Sequence, residues 1–264
     1  MLGSERGNIY SYLEDQSKLP QGEANRNNLS QPYQQIEYKD ADEVNIQNGP
    51  FRVSFGYERI DERGEDEALN DVFINLDKLR KVTHYSFSRT DRKQSPIVLN
   101  DLLPKGYKVI FKPGENKSCA LIAGYNIIMV QGDLATPVTL IDLLHEVGHA
   151  WDYEGQPDKV AKRKYSEPYL TLNAGFATKE DMKKVLKMER NAWAFTLKAL
   201  RPFLDGKNEK EVDYPLKRAD IQSCIHDYSL STYGRLIGEQ LFAMDSFADI
   251  KGEVDFENDD DEWD

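Results

Sequence analysis

The chain has 264 residues, of which 39% are hydrophobic and 30% charged, with a formal net charge of −12. No apolar run approaches the roughly 18 residues a membrane-spanning helix needs, so a helical membrane protein is excluded. The acidic excess argues against a nucleic-acid partner, whose phosphates require a Lys/Arg surface, and suits basic peptides or proteins instead.

Residues 1–48 are rich in Gln, Asn, Ser, Asp and Glu and poor in clustered apolar residues. A segment of that composition buries too little to offset its ordering entropy and reads as a disordered polar arm. The first residues lack the apolar core of a secretory signal, which makes the cytoplasm the default location and leaves export without a cleaved signal open. Phe51–Tyr57 alternates and predicts a strand. Glu67 to Val82 places Leu69, Val72, Phe73, Leu76, Leu79 and Val82 at helical spacing. Tyr107–Lys112 predicts a second strand, stopped by Pro113-Gly114. Cys119–Ala123 and Asn126–Gln131 predict two more, joined by a hairpin at Gly124-Tyr125. The two cysteines, Cys119 and Cys224, allow at most one disulfide and lack the spacing of a thiolate metal site, so they read as reduced thiols.

Helices dominate the rest. Thr136 is an N-cap candidate with Pro137 in the first helical position, and the helix runs to Tyr153 and stops near Gly155. Thr178-Lys-Glu-Asp181 forms a capping box with Asp in place of Glu, opening a helix that ends before Pro202. Pro215–His226 and Thr232–Ile250 read as helices, and residues 251–264 as a solvated acidic tail. Early strands and late helices predict an α+β domain over residues 49–250.

The chemistry concentrates in His145-Glu146-Val147-Gly148-His149. Residues four apart share a helix face, so His145 and His149 can offer two imidazoles to one metal ion. Zinc takes such nitrogens at about 2.0–2.1 Å, and a catalytic zinc adds a third protein ligand and a water. Glu146 flanks the pair and is the candidate general base toward that water. The surrounding Val138, Leu140, Ile141, Leu143, Leu144, Val147, Ala150 and Trp151 make this an apolar helix rather than a solvated one.

No third histidine follows the motif, so the third ligand is sought among carboxylates. Glu189 shares a helical stripe with Met182, Val185, Leu186, Ala192, Trp193 and Thr196. A carboxylate on an apolar stripe is costly unless something pairs with it, and a metal cation would do so. Glu239 is the rival, sharing a face with Leu236, Phe242 and Ala243, but Arg235 four residues earlier offers it an ion pair. Glu189 is preferred on the stripe argument. Asp152 is a candidate to orient a ligand imidazole. His84, Trp151 and Trp193 read as packing residues.

His-Glu-Val-Gly-His followed by Glu189, Ala192 and Phe195 on a second helix resembles the gluzincin group of zinc metallopeptidases in its minimal forms, across residues 65–202. The resemblance implies a zincin-like fold, with His145, His149 and Glu189 as zinc ligands and Glu146 as catalytic base. It also implies a sheet-edge strand that binds extended peptide, here Asn126–Gln131. Ser231-Thr-Tyr233-Gly followed by Glu239 and Phe242-Ala243 resembles, one residue out of register, the Tyr-then-Glu segment of anthrax-lethal-factor-like metallopeptidases. There the Glu is the ligand and the Tyr steadies the oxyanion, which makes Tyr233 the candidate transition-state stabiliser, with Tyr228 and His226 as alternatives. The expected function is zinc-dependent hydrolysis of peptide or protein substrates. The competing expectations are a catalytically inactive peptide-binding module and a delivered effector protease.

Overall fold

The computed structural model describes residues 43–48, 51–60, 79–91, 95–112, 118–132, 134–135, 137–203, 225 and 231–255. Strands come first: β1 (Glu43–Asn48), β2 (Phe51–Arg59), β3 (Arg80–Arg89), the two-residue β4 (Ile97–Val98), then, after the single-turn α1 (Leu99–Leu102), β5 (Lys108–Lys112), β6 (Ser118–Ile122) and β7 (Ile127–Gln131). Helices follow: α2 (Pro137–Glu154), α3 (Lys159–Arg163), α4 (Glu167–Asn173), α5 (Lys179–Leu200), a 3-10 turn at Arg201–Phe203, and α6 (Ser231–Asp255). The architecture is α+β. One sheet runs in the order β1-β2-β3-β5-β7-β6, with β4 beside β3. All its pairs are antiparallel except β5 with β7.

Alternation divides the sheet faces. Phe51, Val53 and Phe55 of β2, Tyr85 and Phe87 of β3, Val109 and Phe111 of β5 and Ile128 and Val130 of β7 join one core with Leu140, Ile141, Leu143, Leu144, Val147 and Ala150 of α2. Their intervening neighbours Ile110, Ile127 and Met129 form a smaller cluster with Leu79 and Ile122. Aromatic rings stack through the first core, Phe51 on Phe87 at 5.1 Å and Phe87 on Phe203 at 5.4 Å between centroids. The Tyr85 hydroxyl donates to the Leu134 carbonyl at 3.0 Å, tying the sheet to the segment that leads into α2.

Several expectations need correction. The last six residues of the segment assigned to the polar arm, Glu43–Asn48, form β1 against β2. The helix expected over Glu67–Val82 lies outside the described residues up to 78, and its end, Arg80–Val82, belongs to β3. Leu79 and Val82 stand three apart, as on a helix face, yet Leu79 packs in the smaller cluster and Val82 in the main core; a bulge follows. The β2–β3 register passes from Gly56↔His84 to Tyr57↔Val82 and skips Thr83. Two inward residues, Val82 and Tyr85, thereby stand three apart, the spacing of a helix face. The strand Asn126–Gln131 is not the sheet edge: β7 lies between β5 and β6, and β6 ends the order. The hairpin at Gly124-Tyr125 is present, with Gly124 at φ 89° and Asn126 at φ 57°, a left-handed pair that suits those two residue types. The Thr178–Asp181 capping box forms in both directions. Helix α6 extends to Asp255, five residues into the expected acidic tail. The helix expected over Pro215–His226, apart from residue 225, falls outside the described residues, as do Cys224 and residues 1–42.

Candidate metal centre

Helix α2 is apolar on nearly every side because the sheet covers one flank and α5 the other. Its closest neighbour is α5. A Cβ placed on Gly148 would stand 2.7 Å from both the Cα and the carbonyl oxygen of Ala192, a distance side chains do not tolerate. The glycine inside the His-Glu-Val-Gly-His run therefore sets how near the two helices come. His149 follows Gly148 directly and His145 stands about one turn before it; one turn before Ala192 stands Glu189. The contact brings all three together.

The distances are of the size that separates ligands of one metal ion. His145 Nε2 lies 3.0 Å from His149 Nε2. Glu189 Oε2 lies 3.3 Å from His145 Nε2, and Glu189 Oε1 lies 3.4 Å from His149 Nε2. Three donors each about 2.0–2.1 Å from a tetrahedral zinc stand about 3.3 Å from one another. The donor set fits zinc in both identity and spacing. All three side chains are buried, Glu189 to within 2% of its extended-chain exposure.

Glu146 completes the constellation from the sheet side. A carboxylate oxygen of Glu146 lies within 4.8 Å of the two imidazole donors. Its Oε2 accepts the Leu121 backbone N–H of edge strand β6 at 2.7 Å. Burial pushes its carboxyl up to about 7, against the pull of His149 and the Leu121 bond. Burial acts in the same direction on Glu189, but hydrogen bonds from His145 and His149 outweigh it and hold that carboxyl well below the usual range. The two carboxyls thus differ in charge tendency because one faces two imidazoles and the other an amide.

The two histidines differ as well. Burial and the neighbouring His149 lower the pKa of His145. Burial also presses on His149, but Glu189, Glu146 and Asp152 together raise it. His145 packs against the Trp193 ring, centroids 4.3 Å apart and planes tilted by 38°, and its Nδ1 is buried without a hydrogen-bond partner. His149 Nδ1 meets the Tyr165 hydroxyl at 3.4 Å.

Tyr165, Tyr169 and Asn191 escaped the sequence reading. The Tyr165 hydroxyl also reaches Asp152 Oδ2 at 3.3 Å, and Asn191 Nδ2 donates to Asp152 Oδ1 at 2.8 Å. The Tyr169 hydroxyl donates to Glu189 Oε1 at 2.9 Å. The available signal was two tyrosines four residues apart between the two long helices, a stretch for which no element was predicted. Asp152 sits near His149, as expected of an orienting carboxylate, but through Tyr165 rather than directly.

The remaining candidates stand farther out. Tyr233 packs its ring on Tyr169 at 5.6 Å, and it is Tyr169 that touches Glu189. Glu239 is exposed and pairs with Arg235 at 3.4 Å, the arrangement its i,i+4 spacing suggested. Gln240 ties α6 to the α4–α5 junction by accepting the Ala177 N–H at 3.1 Å. His84 lies half-buried in β3. Tyr228 and His226 fall outside the described residues. No helix among the described residues is long and apolar enough to cross a membrane.

No family model matches the chain, and no curated protein or solved structure matches it. The site's geometry and donor chemistry are the grounds for a functional reading.

Proposed function

We propose that this chain is a zincin-like, zinc-dependent peptidase that hydrolyses peptide bonds in peptide or protein substrates. The observation that carries the reading is the buried cluster of His145, His149 and Glu189, in which the two Nε2 atoms lie 3.0 Å apart and meet separate Glu189 oxygens at 3.3 and 3.4 Å, with Glu146 beside it. His145, His149 and Glu189 would hold the zinc. When bound, that ion makes a water acidic near neutral pH and polarises a carbonyl oxygen. Glu146 takes a proton from the attacking water and delivers it to the departing amine. The Leu121 N–H holds one Glu146 oxygen and so fixes the direction the other faces. Edge strand β6 borders the same space and would receive an extended substrate by strand addition, its main chain supplying the bonds. An acidic surface favours basic substrates.

Metal content and peptide hydrolysis of the purified chain test this directly. Stoichiometric zinc is expected, and Glu146→Gln should keep the metal while losing on the order of 10²–10⁴ in kcat/KM. Protein without zinc, or undiminished cleavage by Glu146→Gln, would refute the reading. A peptide-binding module without hydrolysis is the second reading, favoured by the engagement of Glu146 with Leu121. Zinc and tight peptide binding with no turnover would select it.

A further inference from the structure

A ligand imidazole must present Nε2 as a lone pair, which puts its proton on Nδ1. In a buried site that Nδ1–H needs an acceptor. For His149 the group within reach is the Tyr165 hydroxyl, at 3.4 Å. A hydroxyl has one proton and two lone pairs, so its role depends on where that proton goes. Asp152 Oδ2 lies 3.3 Å away and, as a carboxylate, only accepts. Its other oxygen accepts from Asn191 Nδ2 at 2.8 Å, which anchors the carboxylate to α5. The His149 carbonyl oxygen, also 3.3 Å away, only accepts as well, so the Tyr165 proton is directed to Asp152 and that carbonyl, and the Tyr165 oxygen accepts from His149 Nδ1. The two bonds then share one direction, His149 to Tyr165 to Asp152, and that direction gives Nε2 the lone pair a metal ion requires.

Four residues on, Tyr169 treats the third donor in the same manner. Its hydroxyl donates to Glu189 Oε1 at 2.9 Å, its ring stands edge-on to His149 at 6.2 Å, and Tyr233 backs it at 5.6 Å. Glu189 lies on a helix whose register alone leaves its carboxylate free to rotate about the last torsion. The Tyr169 bond removes that freedom. Tyr165 and Tyr169 enter on one short stretch, the turn before α4 and α4 itself, which packs against α5.

We infer that Tyr165 and Tyr169 are a paired positioning device for the metal centre: Tyr165, backed by Asp152 and Asn191, fixes the tautomer of His149, and Tyr169 fixes the carboxylate of Glu189. The inference rests on the zinc reading above and adds to it the residues that make the triangle a preformed site. His145 Nδ1 has no hydrogen-bond partner, so the device acts on two donors of the three.

Zinc affinity, measured by competition with a chromophoric chelator, tests it on the full chain. Tyr165→Phe and Tyr169→Phe each keep the ring and lose the hydroxyl. Each should weaken zinc binding by about 10- to 100-fold, the range found when groups that orient metal ligands are removed. The pattern of combination separates positioning from packing. Tyr165→Phe with Asp152→Asn should cost little more than either alone, because both interrupt one chain of bonds, whereas Tyr165→Phe with Tyr169→Phe should multiply. A purely structural role would instead lower the thermal midpoint of the metal-free protein and leave the affinity of the folded fraction unchanged. Should either tyrosine variant fold poorly, Asp152→Asn carries the same expectation for the His149 branch. Wild-type binding with both tyrosine variants within twofold of it would overturn this inference and leave the zinc reading standing. A wild type that takes up no zinc would overturn both.

Discussion

The two flanks of α2 are built on opposite principles. Toward the sheet, contacts are aromatic and aliphatic: Phe55, Tyr85, Phe87 and Phe111 are fully buried against Leu140, Leu144 and Val147. Toward α5, the same helix buries His145 and His149 against Glu189, and Thr139 and Thr196 lie on the same two helices. Those five are the buried polar or charged side chains, tyrosine aside, among the described residues. An apolar interface of equal size would serve stability at least as well, because desolvating a carboxylate and two imidazoles is costly. The sheet flank is an apolar core, and the α5 flank gathers the buried polar side chains. A buried polar cluster surrounded by an otherwise dry core is the physical mark by which a site stands out without a relative to compare.

If that division holds, substitutions on the two flanks should separate stability from metal binding. Phe111→Ala should cost about 3–5 kcal/mol in denaturant unfolding, the range for a large aromatic deleted from a core, while the folded fraction keeps its zinc affinity. Affinity falling in step with stability would erase the distinction. Gly148→Ala sits where the flanks meet. Its Cβ would press on the Ala192 backbone, so about 1–3 kcal/mol of overpacking strain is expected. The helices should also part enough to draw Glu189 from the imidazoles, giving weaker zinc uptake as well. A variant that binds zinc like the wild type would show that the close approach is not what assembles the triangle.

A smaller effect belongs to the start of α5, far from both flanks. Thr178→Ala removes the cap and should cost about 1 kcal/mol with zinc affinity unchanged. Its partner Asp181 gives this cap a pH dependence. Hydrogen bonds from the Thr178 side chain and backbone lower the Asp181 pKa below 3.8. A depressed carboxyl contributes stability above its unfolded value, and that contribution disappears as pH falls through the folded one. Acid unfolding curves of wild type and Asp181→Asn should therefore differ near neutral pH, begin to draw together below pH 3.8 and converge once pH falls beneath the lowered pKa of the folded Asp181. Curves that stay apart in acid would place the effect elsewhere.

Local chemistry was legible wherever the signal was local. His145 and His149 share a face because helices repeat every 3.6 residues, and Glu189 was anomalous on its stripe before any partner was visible. The capping box at Thr178 and the hairpin at Gly124 likewise depend on a few adjacent residues. β3 was hidden for a reason equally physical: the bulge at Thr83 gave Val82 and Tyr85 a helical interval, and a strand with a skipped residue carries no clean alternation. Tyr165 and Tyr169 were hidden because tyrosines at i,i+4 in a polar stretch look like ordinary surface or packing until their hydroxyls have partners.

The residues of the chain settled which groups could bind a metal, because imidazole and carboxylate donors and their helical spacing are properties of the covalent sequence. Three matters were decided only in three dimensions. The sheet order made β6 the edge, since strand pairing depends on contacts distant in sequence. The approach of Ala192 to Gly148 placed Glu189, and not Glu239, beside the two imidazoles, since which carboxylate arrives there depends on which helix comes close enough. The burial of Glu146 beside Leu121 pushed its carboxyl up to about 7, since a pKa is set by solvent and neighbours rather than by residue type.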